Sequence, residues 1–494
     1  MTSKNSSSPD NSKITTGKSQ GVNNSMVPAL ITSLLWILFA GNLTYLILNY
    51  THISEWRLGS IFRIDGFTIL IWAVVTFFSA LVSGFAGNYL KGFRHHSKFM
   101  WLCLGFTMSV MLLVMSEHVI PLVLSWLVMG VFMSRLIGIE SDWGEAREAS
   151  GFTQRYFLLG TLFLSLGIFL LAFYSNEFTI TGLMASLDNI PSYVTLIAGL
   201  LIIGAAIVQS AIYPFHRWLL SAMTAPTPAS ALMHAGFVNG SGILLALFAP
   251  LLFASNTLDI LFIIGGLTAI VAQFNKLLQV NVKQKLACST IAQMGFMIMQ
   301  CGLGFFNAAV AHLILHGFYK AYLFLSSGEG IAMSQPQNAP RIKIKPLQAL
   351  IVLFFGALGA FLFISWTGKE TVLDSGIFLT LIVAITVGQA TYNIVKEKSL
   401  SVLQKTFLPP LLFVFGIGTY ALMYNGVSAL MADMPMVAVP MPVSMLQIAF
   451  GIIFLAGFFI MKLGVYRKIP WLYVKLMNLS QPYKKSILMY KSNS

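Results

Sequence analysis

Residues 204–245 read GAAIVQSAIYPFHRWLLSAMTAPTPASALMHAGFVNGSGILL. An apolar run reaches Pro214 and passes through His216 and Arg217 without leaving hydrophobic sequence, then stops at Pro226-Thr227-Pro228. A second apolar run follows and carries His234, Asn239 and Ser241. Proline removes a backbone donor and crowds the preceding turn, so Pro214 is expected to kink or break its helix. In a membrane, a broken helix with polar side chains persists only where it lines a cavity or is buried in protein. Such segments mark ion or substrate paths. The stretch is read as half of a transport site, with His216 and His234 as candidate ion-pathway groups.

Composition sets the class. The chain of 494 residues is 57% hydrophobic and only 9% charged, with a mean hydropathy of +0.79. Soluble domains carry roughly 25% charged residues, so an all-α polytopic membrane protein is expected. The net charge of +14 would point to nucleic acid in a soluble chain, but here it lies in short loops and tails, where it sets orientation. No nucleic-acid partner is expected, and membrane lipid is the surrounding medium. Cys103, Cys288 and Cys301 fall in or at the ends of apolar segments without CxxC spacing, which favours small buried residues over disulfides or metal ligands.

A span needs about 20 apolar residues. On that measure about 14 spans are expected, near 27–50, 67–90, 98–115, 118–138, 155–174, 194–215, 229–253, 258–275, 286–303, 307–328, 346–366, 373–394, 408–430 and 441–465. They form a transmembrane domain over 27–466, between a disordered tail at 1–26 and a basic tail at 467–494. The polar lead and the full length of the first run argue against a cleaved signal peptide. Both tails and most basic loops fall on one side, and Glu177, Asp188 and Asp433 on the other. This positive-inside pattern puts both termini in the cytoplasm; the mixed loop at 135–155 fits less cleanly. Residues 468–494 alternate Trp471, Leu472, Val474 and Leu476 with lysines, so the segment either lies on the membrane surface or is a frayed basic tail.

Residues 307–328 read NAAVAHLILHGFYKAYLFLSSG. His312, His316 and Lys320 are spaced i, i+4, i+8 and share one helix face. A charged lysine at mid-bilayer costs ~3 kcal/mol on insertion scales, so the stripe must face protein or water. Histidine titrates near neutrality and burial makes a lysine a readier proton donor, which suits a proton relay. Lys369 and Glu370 end another apolar segment and, taken alone, read equally as interfacial residues. Asp65 stands at the mouth of the second span, within reach of Arg63 or Arg57. Glu117 and His118 separate two apolar runs and are either a wet turn or a proton site. His95 and His96 sit in a basic loop and are expected in water. Gly236, Gly240 and Gly242 favour close helix packing. There is no nucleophile–base motif, phosphate loop, dinucleotide fingerprint or metal cluster, so the chain is expected to be a transporter subunit, not an enzyme, without a cofactor of its own.

From about residue 65 to 370 the sequence resembles the antiporter-like membrane subunits of respiratory complex I and of Mrp-type cation/proton antiporters. The family's first pattern matches Pro214, Trp218-Leu219, Pro226-Thr227-Pro228 and Ser230-Ala231-Leu232-Met233-His234. Its later pattern matches Asn281-Val282-Lys283, the run from Ser289 to Gly295, His312-x3-His316-x3-Lys320, and the broken-helix lysine and acid at Lys369 and Glu370. The resemblance implies two inverted five-helix repeats, here about 98–253 and 258–394, each with a broken helix (194–215 and 346–366) and a proton half-channel. The family's first half-channel uses a glutamate after a tryptophan and a lysine before the first break; this chain has Leu127 after Trp126, and Gln209. Losing both together leaves no stranded charge. Glu117, His216 and Arg217 are possible substitutes, and the second half keeps Lys320 and Lys369. The short stretch after the last span leaves no room for the long lateral helix of the large complex I subunit.

Within this superfamily the wording is similar to the membrane subunits of two-component bacterial inorganic carbon pumps. Their partner is a zinc protein similar to β-carbonic anhydrases. The resemblance implies a multi-pass subunit of the bacterial inner membrane that passes a cation, H⁺ or another, to energise CO₂ or bicarbonate accumulation. Zinc is then expected in the partner and not in this chain. The alternative is a proton-translocating subunit of a complex I-like oxidoreductase or an Mrp-type Na⁺/H⁺ antiporter.

Overall fold

The computed structural model describes residues 26–50, 53–327, 346–368, 374–383, 401–463 and 465–487, with the isolated positions 387 and 391. The tail at 1–25, the basic loop at 341–345, and Lys369 and Glu370 lie outside the described residues, as does part of the span expected at 373–394.

The chain is a helical membrane protein. Its helices are α1 (Met26–Asn49), α2 (Gly66–Tyr89), α3 (His96–Met115), α4 (Val119–Ile137), α5 (Gly144–Ser175), α6 (Ile180–Ala185), α7 (Ser192–Gln209), α8 (Arg217–Ser221), α9 (Thr227–Ala235), α10 (Gly240–Leu247), α11 (Ala249–Ala254), α12 (Leu258–Leu278), α13 (Val282–Gly302), α14 (Phe306–Leu325), α15 (Pro346–Thr367), α16 (Val402–Leu430), α17 (Met445–Leu463) and α18 (Pro470–Leu479). Among the described residues, ten helical segments are long and apolar enough to cross a membrane. Of the other expected spans, α13 is of spanning length but carries Lys283 and Lys285 in its first turn, and α15 and α17 are helical where spans were expected.

One small hairpin interrupts the helices. Strands β1 (Trp56–Leu58) and β2 (Phe62–Ile64) pair antiparallel between α1 and α2. Asp65 then caps α2, accepting from the Thr68 amide and hydroxyl at 2.8 Å each, which satisfies donors that a helix start leaves open.

The helix ends sort by charge. The face at the Tyr89 end of α2 carries Lys91, Arg94, Lys98, Arg135, Lys276, Lys283 and Lys285, with Lys468, Lys475, Lys484 and Lys485 from the tail. The opposite face carries Asp65, Glu117, Glu177, Asp188 and Asp433, and its described cations are Arg57 and Arg63. Acids of the mixed loop lie among the basic groups, with Asp142 3.7 Å from Arg94. His96 departs from the sequence expectation: it opens α3 and is buried, because the helix starts at this residue and draws it under the loop.

Small residues set the tightest packing. A Cβ on Gly265 would lie 2.5 Å from the Met299 amide, and one on Gly295 would lie 2.7 Å from the Ala269 amide. The α12 and α13 backbones therefore touch directly, as small residues permit in lipid. Gly242 likewise accommodates Met297 and Leu313.

Candidate functional site

The opening stretch is broken twice. Helix α7 stops at Gln209, five positions ahead of Pro214, and residues 210–216 are non-helical before α8. The following run, expected as one span over 229–253, is divided at Gly236 into α9 and α10, with α11 after them. The two breaks satisfy one another. Gln209 Nε2 donates to the Phe237 carbonyl at 3.2 Å, and the Ser210 hydroxyl donates to the Val238 carbonyl at 2.5 Å. Ser210 and Ser241 also share a hydrogen bond. Trp218 Nε1 donates to the Val208 carbonyl at 2.8 Å, occupying an acceptor at the end of α7. Freed backbone groups in a membrane demand such partners, so Gln209 works here as a neutral clasp between two interrupted helices.

The second polar feature lies on α14. Lys320 is fully buried, and its ammonium donates to the Ser289 hydroxyl at 2.9 Å and to the Leu286 carbonyl at 3.1 Å, both on α13. The ion pairs among the described residues are Arg57–Glu55, Arg63–Asp65, Arg63–Glu117 and Arg94–Asp142, so among these residues Lys320 is held by neutral dipoles. One turn back is buried His316, and another turn back is His312, its ring centroid 6.1 Å from that of His316 and nearly parallel to it.

His234 joins this stripe from α9. Its imidazole stacks on Phe324 at 4.3 Å. The approach of α9 to α14 depends on Gly317, where a Cβ would meet the Phe78 ring at 2.6 Å and the Ala235 carbonyl at 3.1 Å. Asn239 ties the same elements, donating to Ala235 at 2.8 Å and to Leu313 at 3.3 Å. Both ring nitrogens of His234 and of His316, and Nε2 of His312, are buried without a hydrogen-bond partner among the described residues. Unpartnered polar atoms are expensive in a low-dielectric interior. Grouped beside a buried lysine, they form a row of proton-accepting positions.

Two cavities lie among the described helices. One of about 580 Å³ opens at the basic face, lined by Lys91, Glu140, Ala225 and Lys283 among others, and Lys283 donates to the Ala225 carbonyl across it at 2.7 Å. The other, of about 380 Å³, is lined by Phe296, Gln300, Phe363 and Tyr420 among others; Phe296 packs on the His312 ring at 5.2 Å.

Two sequence candidates stand elsewhere. His216 is buried in the first break, with Nε2 2.7 Å from the Leu479 carbonyl of α18 and its ring against Tyr213. Glu117 lies at the opposite face: it accepts from the Thr181 amide at 3.0 Å and from the Thr181 hydroxyl, and stands 3.7 Å from Arg63. Glu117 shares Arg63 with Asp65 at the start of α2, whereas Gly317, three positions before Lys320, packs on Phe78 halfway along that helix. Lys369 lies outside the described residues. Sequence reasoning missed Ser289, although its polarity within an apolar helix facing a lysine stripe was the available signal. It also missed the clasp role of Gln209 and Ser210. Among the described residues no group of three or more His, Cys, Asp or Glu side chains is placed to hold a metal.

Comparison with known proteins agrees with this architecture. Residues 116–391 match the family model described as NADH:quinone oxidoreductase/Mrp antiporter, TM. The probable inorganic carbon transporter subunit DabB of Bacillus subtilis (strain 168) is 34% identical over 271 residues, covering 54% of this chain and 54% of that protein. The NADH-quinone oxidoreductase subunit L of Escherichia coli (strain K12) is 30% identical over 358 residues, covering 68% of this chain and 57% of the relative. In both cases the match spans little more than half of the relative's length. Among solved structures, the Mrp complex from Dietzia sp. DQ12-45-1b shares the fold, with a TM-score of 0.63 at 19% identity over 92% of this chain and 55% of that one. A family match over more than half of the chain, on a fold of interrupted membrane helices, makes the protein a member of the NADH:quinone oxidoreductase/Mrp antiporter transmembrane family.

Proposed function

We propose that this protein is the ion-conducting membrane subunit of an energy-coupled inorganic carbon pump, a DabB-type subunit that passes protons through its second half. The carrying observation is Lys320, buried and held by Ser289 and Leu286 with no carboxylate partner among the described residues, in line with His316, His312 and His234. A lysine held by neutral dipoles changes charge without stranding a counter-ion, which a buried salt bridge forbids. The imidazoles supply acceptors on either side of it. Lys369, by the family resemblance, continues the path beyond the row. The first half, clasped by Gln209 where the family carries a lysine, has no such switch. That asymmetry and the similarity to proteins named DabB favour the carbon-pump reading over a complex I-like or Mrp-type exchanger.

The chemistry on carbon then belongs to a second chain, a DabA-like zinc protein resembling β-carbonic anhydrases. This subunit supplies cation flux, H⁺ in the preferred reading, across the bacterial inner membrane with both termini in the cytoplasm. The test is co-expression with the partner in a carbonic-anhydrase-deficient host grown at ambient CO₂. Rescue by the pair, lost with either chain alone and with Lys320→Ala at normal protein level, is the expected result. No rescue by the intact pair overturns the carbon-pump reading. Rescue undiminished in Lys320→Ala overturns the path.

A further inference from the structure

We propose that the groove between Arg217 and α18 is a binding site for one anionic phospholipid of the cytoplasmic leaflet. The groove is open to the surface, has a volume of about 520 Å³ and is lined by Arg217, Trp471, Val474, Lys475, Asn478 and Leu479 among others, with no carboxylate on its wall among the described residues. Its two cations are exposed, and Arg217 makes no ion pair among the described residues.

Helix α18 is two-faced. Leu476 packs with Phe274 and Tyr466 against the last turns of α12, and the Phe274 and Tyr466 rings meet at 5.1 Å. The outward stripe is Trp471, Val474, Lys475 and Asn478, spaced i, i+3, i+4, i+7. Trp471 is 67% exposed and Val474 55% exposed. A soluble interface would leave these apolar groups in water. At the basic end of a membrane-spanning bundle they lie at headgroup depth, where tryptophan and lysine are both favoured.

The groove is preformed. His216 holds the Leu479 carbonyl, the Tyr483 amide donates to Ser221 at 2.9 Å, and the Tyr483 ring stacks on Phe152 at 4.3 Å. The chain past α18 is thereby pinned to α8, and Arg217 and Lys475 line one groove. Two cations above an apolar floor complement a phosphodiester with acyl chains. Free phosphate would satisfy the cations and leave the floor exposed. Anionic lipid attracts each such side chain at the inner leaflet, so a single bound lipid would bridge the first helix break and the tail.

The experiment uses the full chain in nanodiscs of phosphatidylcholine with or without phosphatidylglycerol. Readouts are retained lipid by native mass spectrometry and the thermal unfolding midpoint. Wild type is expected to retain one phosphatidylglycerol and to unfold several degrees higher when it is present. The double variant Arg217→Gln/Lys475→Gln is expected to retain at least tenfold less and to lose the stabilisation, while Lys91→Gln/Lys98→Gln on the same face retains both. Lys475→Gln alone, at an exposed position, serves as the second variant should the double variant fold poorly. Retention equal to wild type in the Lys475 and double variants overturns the proposal. So does stabilisation reproduced by inorganic phosphate in pure phosphatidylcholine, or a co-purifying protein that protects Trp471 from oxidative labelling in place of lipid.

Discussion

The Lys320 ammonium stands 2.9 Å from the Ser289 hydroxyl on the neighbouring helix, and the Leu286 carbonyl completes its cradle at 3.1 Å. Neutral acceptors stabilise an ammonium less than a carboxylate does. They also release it without leaving a buried anion behind. A site that must be protonated and deprotonated in every cycle gains from that balance.

Removing the amine removes the switch. Lys320→Ala is therefore expected to abolish partner-dependent carbon uptake at unchanged membrane abundance. Ser289→Ala should weaken it by about ten- to a hundredfold and leave it measurable, because one hydrogen bond to a charged group contributes about 1.5–3 kcal/mol and the Leu286 carbonyl remains. Labelled inorganic carbon uptake in cells of matched protein level checks both, and a Ser289→Ala loss as deep as that of Lys320→Ala would contradict the division of labour.

Gln209 is predicted to matter for folding and hardly for transport. Gln209→Ala frees the Phe237 carbonyl at the α9–α10 break, and the loss of one buried hydrogen bond costs about 1 kcal/mol. The variant should unfold at lower temperature yet keep uptake near wild type per folded chain. A collapse of uptake with the midpoint unchanged would return Gln209 to the ion path.

Much of this arrangement was legible in the sequence, for physical reasons. Lys320 inside an apolar run announces a site because burying a charge is costly, and the four-residue spacing aligned it with His312 and His316. The break near Pro214 was visible because proline removes a donor. Its start at Ser210 was not, since it depends on the Phe237 and Val238 carbonyls of a segment 28 residues away. The division of the 229–253 run at Gly236 was hidden for the same reason. His234 appeared beside His216 in sequence, but packing across Gly317 moves it to the Lys320 row. The burial of His216 against Leu479, 263 positions later, leaves no local signature.

Helix contact sets a third prediction. A methyl group on Gly295 would meet the Ala269 amide and the Gly265 carbonyl at 2.7 Å, and backbone atoms on a neighbouring helix yield less than side chains do. Overpacking typically costs 1–3 kcal/mol, so about 3 kcal/mol is expected for Gly295→Ala. Gly416→Ala, where no described residue lies within 4 Å of the new Cβ, should be neutral. Thermal unfolding in detergent compares them directly.

Glu117 separates a lock from a proton site. Its carboxylate gathers the Thr181 amide and hydroxyl, while its backbone amide donates to the Ile61 carbonyl at 2.9 Å and its carbonyl accepts from the Ile180 amide at 2.7 Å. Arg63 stands between Glu117 at 3.7 Å and Asp65 at 3.2 Å. The hairpin, the α3–α4 turn and α6 therefore meet at one side chain. Glu117→Gln keeps the shape and removes the charge, leaving Arg63 with Asp65 alone. Breaking a buried pair costs about 3 kcal/mol, and the surviving partner reduces the loss to about 2 kcal/mol. The expected variant is less stable and transports normally once folded, because Glu117 is bonded to Thr181 and Arg63 and not to any member of the Lys320 row. Uptake abolished at an unchanged unfolding midpoint would instead make Glu117 a proton carrier for the first half. Measuring both quantities on one preparation decides between the two roles, since a lock moves the midpoint and a carrier moves the flux.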